Sequence, residues 1–152
     1  MPEFVQWTSE ISVGIQEIDE QHKQLVQLLN KLFEVMLSQG PERETIAKTT
    51  LKELIDYTTI HFAVEESLFR IFNYPAYDEH KAKHDELKRQ VNDIVLRVKS
   101  GEKRIDTALL VFLRNWVTQH IMEEDKKYSE FLLSQGVQKN WAKKSWFGRL
   151  LG

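Results

Sequence analysis

The stretch from residue 43 to residue 72 reads RETIAKTTLKELIDYTTIHFAVEESLFRIF, and its side-chain pattern decides the fold. Mostly apolar side chains recur along it at steps of three and four, which is the spacing of one face of an α-helix. That face comprises Ile46, Thr50, Leu54, Tyr57, His61, Glu65, Leu68 and Phe72. The pattern predicts one long helix that is broken at Asn73-Tyr74-Pro75. His61 and Glu65 are titratable side chains at positions where leucine is expected.

Three further helices are predicted on either side of this one. They cover about residues 18–38, 76–99 and 105–134, and each carries a stripe of the same spacing. The breaks lie at Gly40-Pro41, Ser100-Gly101 and Gly136. Four long helices with short connections favour an all-α fold, an up-down-up-down antiparallel four-helix bundle.

The bundle is predicted to form one domain over residues 1–136, in which residues 1–17 are an N-terminal arm packed on the helices. Residues 137–152, VQKNWAKKSWFGRLLG, form a short C-terminal extension that is basic and aromatic. It holds four Lys or Arg and no Asp or Glu, so its formal charge is +4. One interpretation is a weak contact with a membrane surface or a protein partner. The other is a terminal helix that folds back over apolar surface.

Composition excludes several classes of protein. With 152 residues, 41% hydrophobic and 29% charged, the chain is typical of one ordered domain. The net charge of −2 gives no general attraction to nucleic acid. The absence of cysteine excludes disulfides, thiolate metal sites and a cysteine nucleophile. No apolar run approaches a membrane span of about 20 residues, and the N-terminus lacks a secretory pattern, so a cytoplasmic location is expected.

All five histidines fall on the apolar stripes, and every predicted helix supplies at least one. They are His22, His61, His80, His84 and His120. Each buried imidazole needs partners for its ring nitrogens, so five in one core would be costly without a shared ligand. In an up-down-up-down bundle all five can reach one layer near one end. The pattern therefore predicts a metal site.

Carboxylates accompany the histidines, but their spacing leaves one choice open. Glu65 follows His61 by four residues, which places both on one helix face. Glu124 follows His120 by four residues, and Asp125 follows it by five. On an α-helix the fifth residue is rotated about 140° away, so spacing alone favours Glu124.

The number of candidate ligands favours two adjacent ions bridged by carboxylates. Five imidazoles with carboxylates are too many for one tetrahedral zinc, so a mononuclear or zinc site would leave ligands unused. The paired Glu-x-x-His motifs of ferritin-like di-iron bundles are absent from the sequence. A metal-free helical scaffold would have to accommodate all five imidazoles in its core.

At these residues the chain resembles the hemerythrin family, in particular the single-domain bacteriohemerythrins. The resemblance covers about residues 4–134. It is carried by the order and spacing of four segments, VGIQEIDEQH (13–22), HFAVEE (61–66), YPAYDEHKAKH (74–84) and WVTQHIMEED (116–125).

The resemblance implies a cofactor of two Fe ions with an oxo or hydroxo bridge. One iron would be held by His80, His84 and His120, and the other by His22 and His61. Glu65 and Asp125 would bridge the pair, so the family pattern selects Asp125 where spacing favours Glu124. The second iron would keep one open position.

The function that the resemblance implies is reversible binding of dioxygen by a non-enzymatic carrier, store or sensor. The alternative is a di-iron redox enzyme that acts on peroxide, nitric oxide or another small oxidant. A monomer is expected rather than an oligomer. The positions that match the apolar oxygen pocket of hemerythrins are Leu25, Phe62, Trp116, Val117 and Ile121.

Overall fold

A computed structural model describes residues 4–136 of the chain, apart from the side chains of residues 121–123. It confirms an all-helical bundle of four main helices, the last of which continues through a π-helical turn into a short fifth helix. The elements are α1 (Gln16–Leu37), α2 (Arg43–Ile71), α3 (Tyr77–Lys99), α4 (Thr107–Gln119), the π-turn (His120–Asp125) and α5 (Lys126–Ser134). The predicted C-terminal extension, residues 137–152, lies outside the described residues.

The helix ends have local causes. Asn73, in the α2–α3 connection, adopts a left-handed backbone with a φ of 53°, which cannot continue a helix. At the start of α4, the Asp106 carboxylate accepts a hydrogen bond of 2.9 Å from the backbone N–H of Leu109. At the α1–α2 corner, the Arg43 guanidinium donates to the carbonyl oxygen of Met36 at 3.0 and 3.2 Å.

The packing of the helices leaves a polar layer between two apolar clusters. Helix α1 packs against α2 and α4, and α2 packs against α3, whereas α3 and α4 approach each other less closely. The larger cluster contains Leu29, Leu54 and Leu113. The smaller one contains Ile18 and Phe69, near the end of the bundle where α1 begins. Along α1, and along the run from α4 to α5, His22 and His120 lie between residues of the two clusters.

The segment before α1 is fixed to the bundle by hydrogen bonds. The side-chain amide of Asn30 accepts from the backbone N–H of Val5 at 2.8 Å and donates to its carbonyl oxygen at 2.9 Å. The Asp19 carboxylate accepts from the backbone N–H of Val13 at 2.8 Å. Val5 and Val13 are both buried. None of the described helices is long and apolar enough to cross a lipid bilayer.

Candidate metal centre

The structure brings the seven predicted metal ligands together in the polar layer. Every one of them is at least 95% buried, although their side chains are titratable. They are His22 from α1, His61 and Glu65 from α2, His80 and His84 from α3, and His120 and Asp125 from the two ends of the π-turn. Four separate elements therefore contribute to one site.

The seven residues form two overlapping groups whose ligand atoms lie within 4.8 Å of one another. The larger group contains Glu65, His80, His84, His120 and Asp125. The smaller group contains His22, His61, Glu65 and Asp125. The two carboxylates belong to both groups, so the arrangement can hold two adjacent cations with shared carboxylate ligands.

Several of the donor atoms in the layer lack hydrogen-bond partners. Both carboxylate oxygens of Glu65 and the Nε2 atoms of His80, His84 and His120 are buried with no hydrogen-bond partner. An orphaned buried polar atom costs about 1–3 kcal/mol, and more if it is charged. Cations at the centre of the layer would satisfy all of these atoms at once. Imidazole with carboxylate suits iron and neighbouring transition metals, so the donor set fits a di-iron centre.

The π-turn brings Asp125 into the layer, which the helical spacing did not predict. In a π-helix the backbone pairs residue i with residue i+5, so the fifth residue returns to the face of the first. The Asp125 Oδ1 atom lies 3.0 Å from His120 Nε2, and its Oδ2 atom lies 2.6 Å from His22 Nε2. One carboxylate thus reaches both groups of ligands.

Glu124, which α-helical spacing favours, points away from the layer. Its carboxylate accepts two hydrogen bonds from the Lys83 ammonium, at 2.6 and 2.7 Å, and one from Lys127 at 3.3 Å. The contacts with Lys83 tie the π-turn to α3 on the outside of the bundle. The preference of α-helical spacing for Glu124 is therefore wrong, because residues 120–125 form a π-turn rather than a continuous α-helix.

Two ligand histidines are oriented by partners of different charge. The His61 Nδ1–H donates to the amide oxygen of Gln21 at 2.6 Å. The His84 Nδ1–H donates to the carboxylate of Glu66 at 2.9 Å. Such partners fix the ring and leave its Nε2 free to bind a metal. The sequence pattern had not singled out Gln21, since it lies beside His22 in the chain but serves a histidine of another helix.

Exchanging these two partners is expected to change metal affinity in opposite directions. Gln21→Glu turns a neutral hydrogen bond into a charge-assisted one and makes His61 a stronger donor. Glu66→Gln does the reverse for His84, at a cost of about 10–100-fold in affinity. Stepwise Co²⁺ titration with a competing chelator measures both. Glu20→Gln, an exposed change next to Gln21, is the control, and a decrease of similar size in both partner variants would contradict the assignment.

Charge in the layer is set by a balance between burial and neighbouring groups. Burial alone would lower the pKa of His61, but Glu65 and Asp125 outweigh it and raise this pKa to about 9. The same balance raises the pKa of His120 to about 10. Burial would raise the pKa values of both carboxyl groups, yet the imidazoles hold them well below their ordinary range. For His22, burial dominates and lowers the pKa.

Metal affinity is therefore expected to rise steeply between pH 6.5 and 8.5. In the metal-free protein His61 and His120 are protonated over this range, since their pKa values are about 9 and about 10. A metal ion must displace both protons. Each displaced proton raises the apparent association constant by up to about tenfold per pH unit. Competition titrations at three pH values test this. An affinity that is independent of pH would contradict it.

The stability of the metal-free protein is expected to follow the opposite trend. The raised histidine pKa values contribute stability that is complete below pH 6.5 and is lost as the pH rises through about 9 and 10. Because the pKa of His22 is lowered, this residue reduces stability only below pH 6.5. The lowered pKa values of the Glu65 and Asp125 carboxyl groups contribute stability at pH values above the ordinary titration range of a carboxyl group. Thermal denaturation should therefore show a lower midpoint at pH 10 than at pH 6.5.

Apolar side chains cover the layer at the predicted pocket positions. Leu25, Phe62, Trp116 and Val117 are all buried. The Phe62 ring stacks on the His84 imidazole with centroids 3.9 Å apart, and the Trp116 ring lies 6.3 Å from Phe62. The side chain of the fifth predicted position, Ile121, lies outside the described residues.

Comparison with known proteins identifies the family. Residues 13–132 match the family described as Hemerythrin HHE cation binding domain. The bacteriohemerythrin of Pseudomonas aeruginosa is 36% identical over 122 residues, which cover 80% of this chain and 77% of that protein. That of Stenotrophomonas maltophilia is 31% identical over 148 residues, covering 95% and 94%. The crystal structure of wild-type hemerythrin matches with a TM-score of 0.78 at 29% identity, covering 85% of this chain and 98% of that one. With its buried layer of histidines and carboxylates, the chain therefore belongs to the hemerythrin family.

Proposed function

We propose that the chain binds dioxygen reversibly at a di-iron centre and serves as an oxygen carrier, store or sensor. The ligands of the centre are His22, His61, Glu65, His80, His84, His120 and Asp125. The observation that carries the proposal is the pair of overlapping ligand groups, which share two buried carboxylates but differ in size. The curated relatives named bacteriohemerythrin support the same assignment.

The difference in size between the groups creates an asymmetric site. The larger group offers three imidazoles, whereas the smaller one offers only His22 and His61 beside the shared carboxylates. A metal in the smaller group has fewer protein ligands, so a small molecule can take the remaining position. Two ferrous ions, when bound, supply two electrons that dioxygen can take up and return.

Buried apolar side chains around the layer would keep water away from this position. Leu25 lies one helical turn from His22 and is 2% exposed, and Phe62 and Val117 are each 1% exposed. Excluding water denies protons to a reduced oxygen species and strengthens the electrostatic interactions inside the site. The residues therefore favour binding and release over chemical conversion.

The deciding experiment combines metal analysis with optical spectra of the full-length protein. The protein is reduced without air, exposed to oxygen and then purged. Two irons per chain and a charge-transfer band that appears and then vanishes are expected. Irreversible oxidation, or many turnovers with an added reductant, would favour the redox-enzyme alternative. Failure to retain about two irons after reconstitution would overturn the proposal.

The cytoplasmic location and the monomeric state stay predictions from the sequence. Oxygen binding at a buried site does not require a second subunit, because one chain supplies all seven proposed ligands. Sedimentation of the iron-loaded protein at several concentrations measures the oligomeric state directly.

A further inference from the structure

A groove of about 500 Å³ runs between α3 and α4, the two neighbouring helices that pack less closely. Its apolar floor is formed by Leu87, Phe112 and Trp116. Phe112 is 38% exposed, which is high for a phenylalanine on a helix that packs into the core. The volume lies within the range of about 300–1,000 Å³ that is typical of small-molecule sites.

The groove reaches the proposed metal centre through His120, which forms part of its wall. The Nε2 atom of this ring faces the shared carboxylates, at 3.0 Å from Asp125. Its Nδ1 atom is buried without a hydrogen-bond partner, and so is the indole Nε1 of Trp116. The two side chains are 95% and 93% buried. Because both nitrogens are shielded from solvent, the donors that a ligand in the groove can reach are the exposed side-chain amides of Asn115 and Gln119.

The charged groups along the groove are already paired. Lys83 binds Glu124 at 2.6 Å, and Glu86 binds Arg89 at 2.6 Å. The remaining polar groups include the neutral amides of Asn115 and Gln119. Because no charge of either sign is left over at these pairs, the groove suits an uncharged ligand better than a nucleotide or another phosphate ester.

We propose that this groove binds a flat, uncharged aromatic molecule of the quinone class. The ring would lie on Phe112 and Trp116, where aromatic stacking favours a planar ligand. A carbonyl oxygen would accept hydrogen bonds from the side-chain amides of Asn115 and Gln119. The aromatic rings favour a flat ligand, and the neutral amides favour an uncharged one with acceptor oxygens.

The choice of a redox-active ligand rests on the proposed function. A di-iron protein that has lost its electrons to an oxidant needs an outside donor before it can bind oxygen again. The chain has no cysteine that could supply electrons as a thiol. A hydroquinone would supply two electrons, one for each oxidised iron, and would release two protons to water as it becomes the quinone. A molecule in this groove would contact His120, a proposed ligand of the centre.

The test is a calorimetric titration of the full-length, iron-loaded protein with menadione. This probe is a small naphthoquinone, and no protein thiol is present to add to it covalently. Saturable binding of one equivalent is expected. Phe112→Ala removes one side of the stack and should weaken binding about tenfold. Leu96→Ala removes an exposed apolar side chain of α3 that does not line the groove and should leave affinity unchanged.

A second variant guards against an indirect effect of Phe112→Ala. Asn115→Trp fills the groove from its exposed side and should abolish binding without touching the buried layer. The proposal is overturned if menadione does not saturate, or if neither groove variant weakens its binding. Optical oxygen titration of the same preparation separates the two claims. If the protein binds oxygen but not menadione, only the proposed ligand of the groove is refuted. If it binds menadione but not oxygen, only the proposed function is refuted.

Discussion

An Asp125→Asn variant is expected to lose its metal pair under conditions in which Glu124→Gln keeps both ions. Asp125 is the carboxylate that reaches both ligand groups, at 2.6 Å from His22 and 3.0 Å from His120. Replacing it removes a charge shared by two cations in a buried layer. The loss of affinity should exceed the roughly 10–100-fold that removal of an outer hydrogen-bond partner costs. Metal content after dialysis measures the difference.

Glu124→Gln is a matched control because it removes the neighbouring carboxylate of the same π-turn. Glu124 bonds to Lys83 and Lys127 on the outside of the bundle, so its loss should cost only about 0–1 kcal/mol of stability. Circular dichroism verifies that both variants remain helical. If Glu124→Gln lost the metal pair and Asp125→Asn retained it, the assignment of ligands in the π-turn would be wrong.

His61→Ala is expected to remove one ion and with it oxygen binding. His61 is one of only two imidazoles in the smaller ligand group, whereas the larger group keeps three. The variant should therefore bind about one iron per chain and show no reversible oxygen band. Iron analysis and the optical oxygen titration measure both effects on the same sample.

The control for this variant is Thr59→Ala, two residues earlier on α2. Its hydroxyl group only donates to the backbone carbonyl of Ile55, at 3.1 Å, and its side chain is exposed. This variant should keep two irons and the full oxygen band. Retention of both properties by His61→Ala would show that the smaller ligand group is wrongly assigned.

The helices were predictable because their cause is local. A stripe at steps of three and four reports the 3.6-residue period of an α-helix directly. The helix predicted over 43–72 spans Arg43–Ile71, and that predicted over 18–38 spans Gln16–Leu37. Loop residues such as Asn73, with its left-handed backbone, mark the breaks for reasons that do not depend on distant parts of the chain.

The histidine layer was also predictable, since each ligand of α1, α2 and α3 sits on its own helical stripe. His61 and Glu65 share one face of α2 by spacing alone. The up-down-up-down order of the helices then brings the histidines on these stripes into one layer of the bundle. The sequence thus determined the fold class and the meeting of the imidazoles, because both follow from local periodicity and short connections.

Only the tertiary structure decided three other features. The family resemblance selected Asp125, but only the structure gives the cause: the helix widens to a π-turn, a change of period that α-helical spacing cannot show. Gln21 orients His61 across an interhelical contact of 2.6 Å, although the two residues are far apart in sequence. The groove beside His120 exists because α3 and α4 pack less closely than the other neighbours. Each depends on how separate helices meet, and that is fixed by packing of the whole bundle rather than by any one segment.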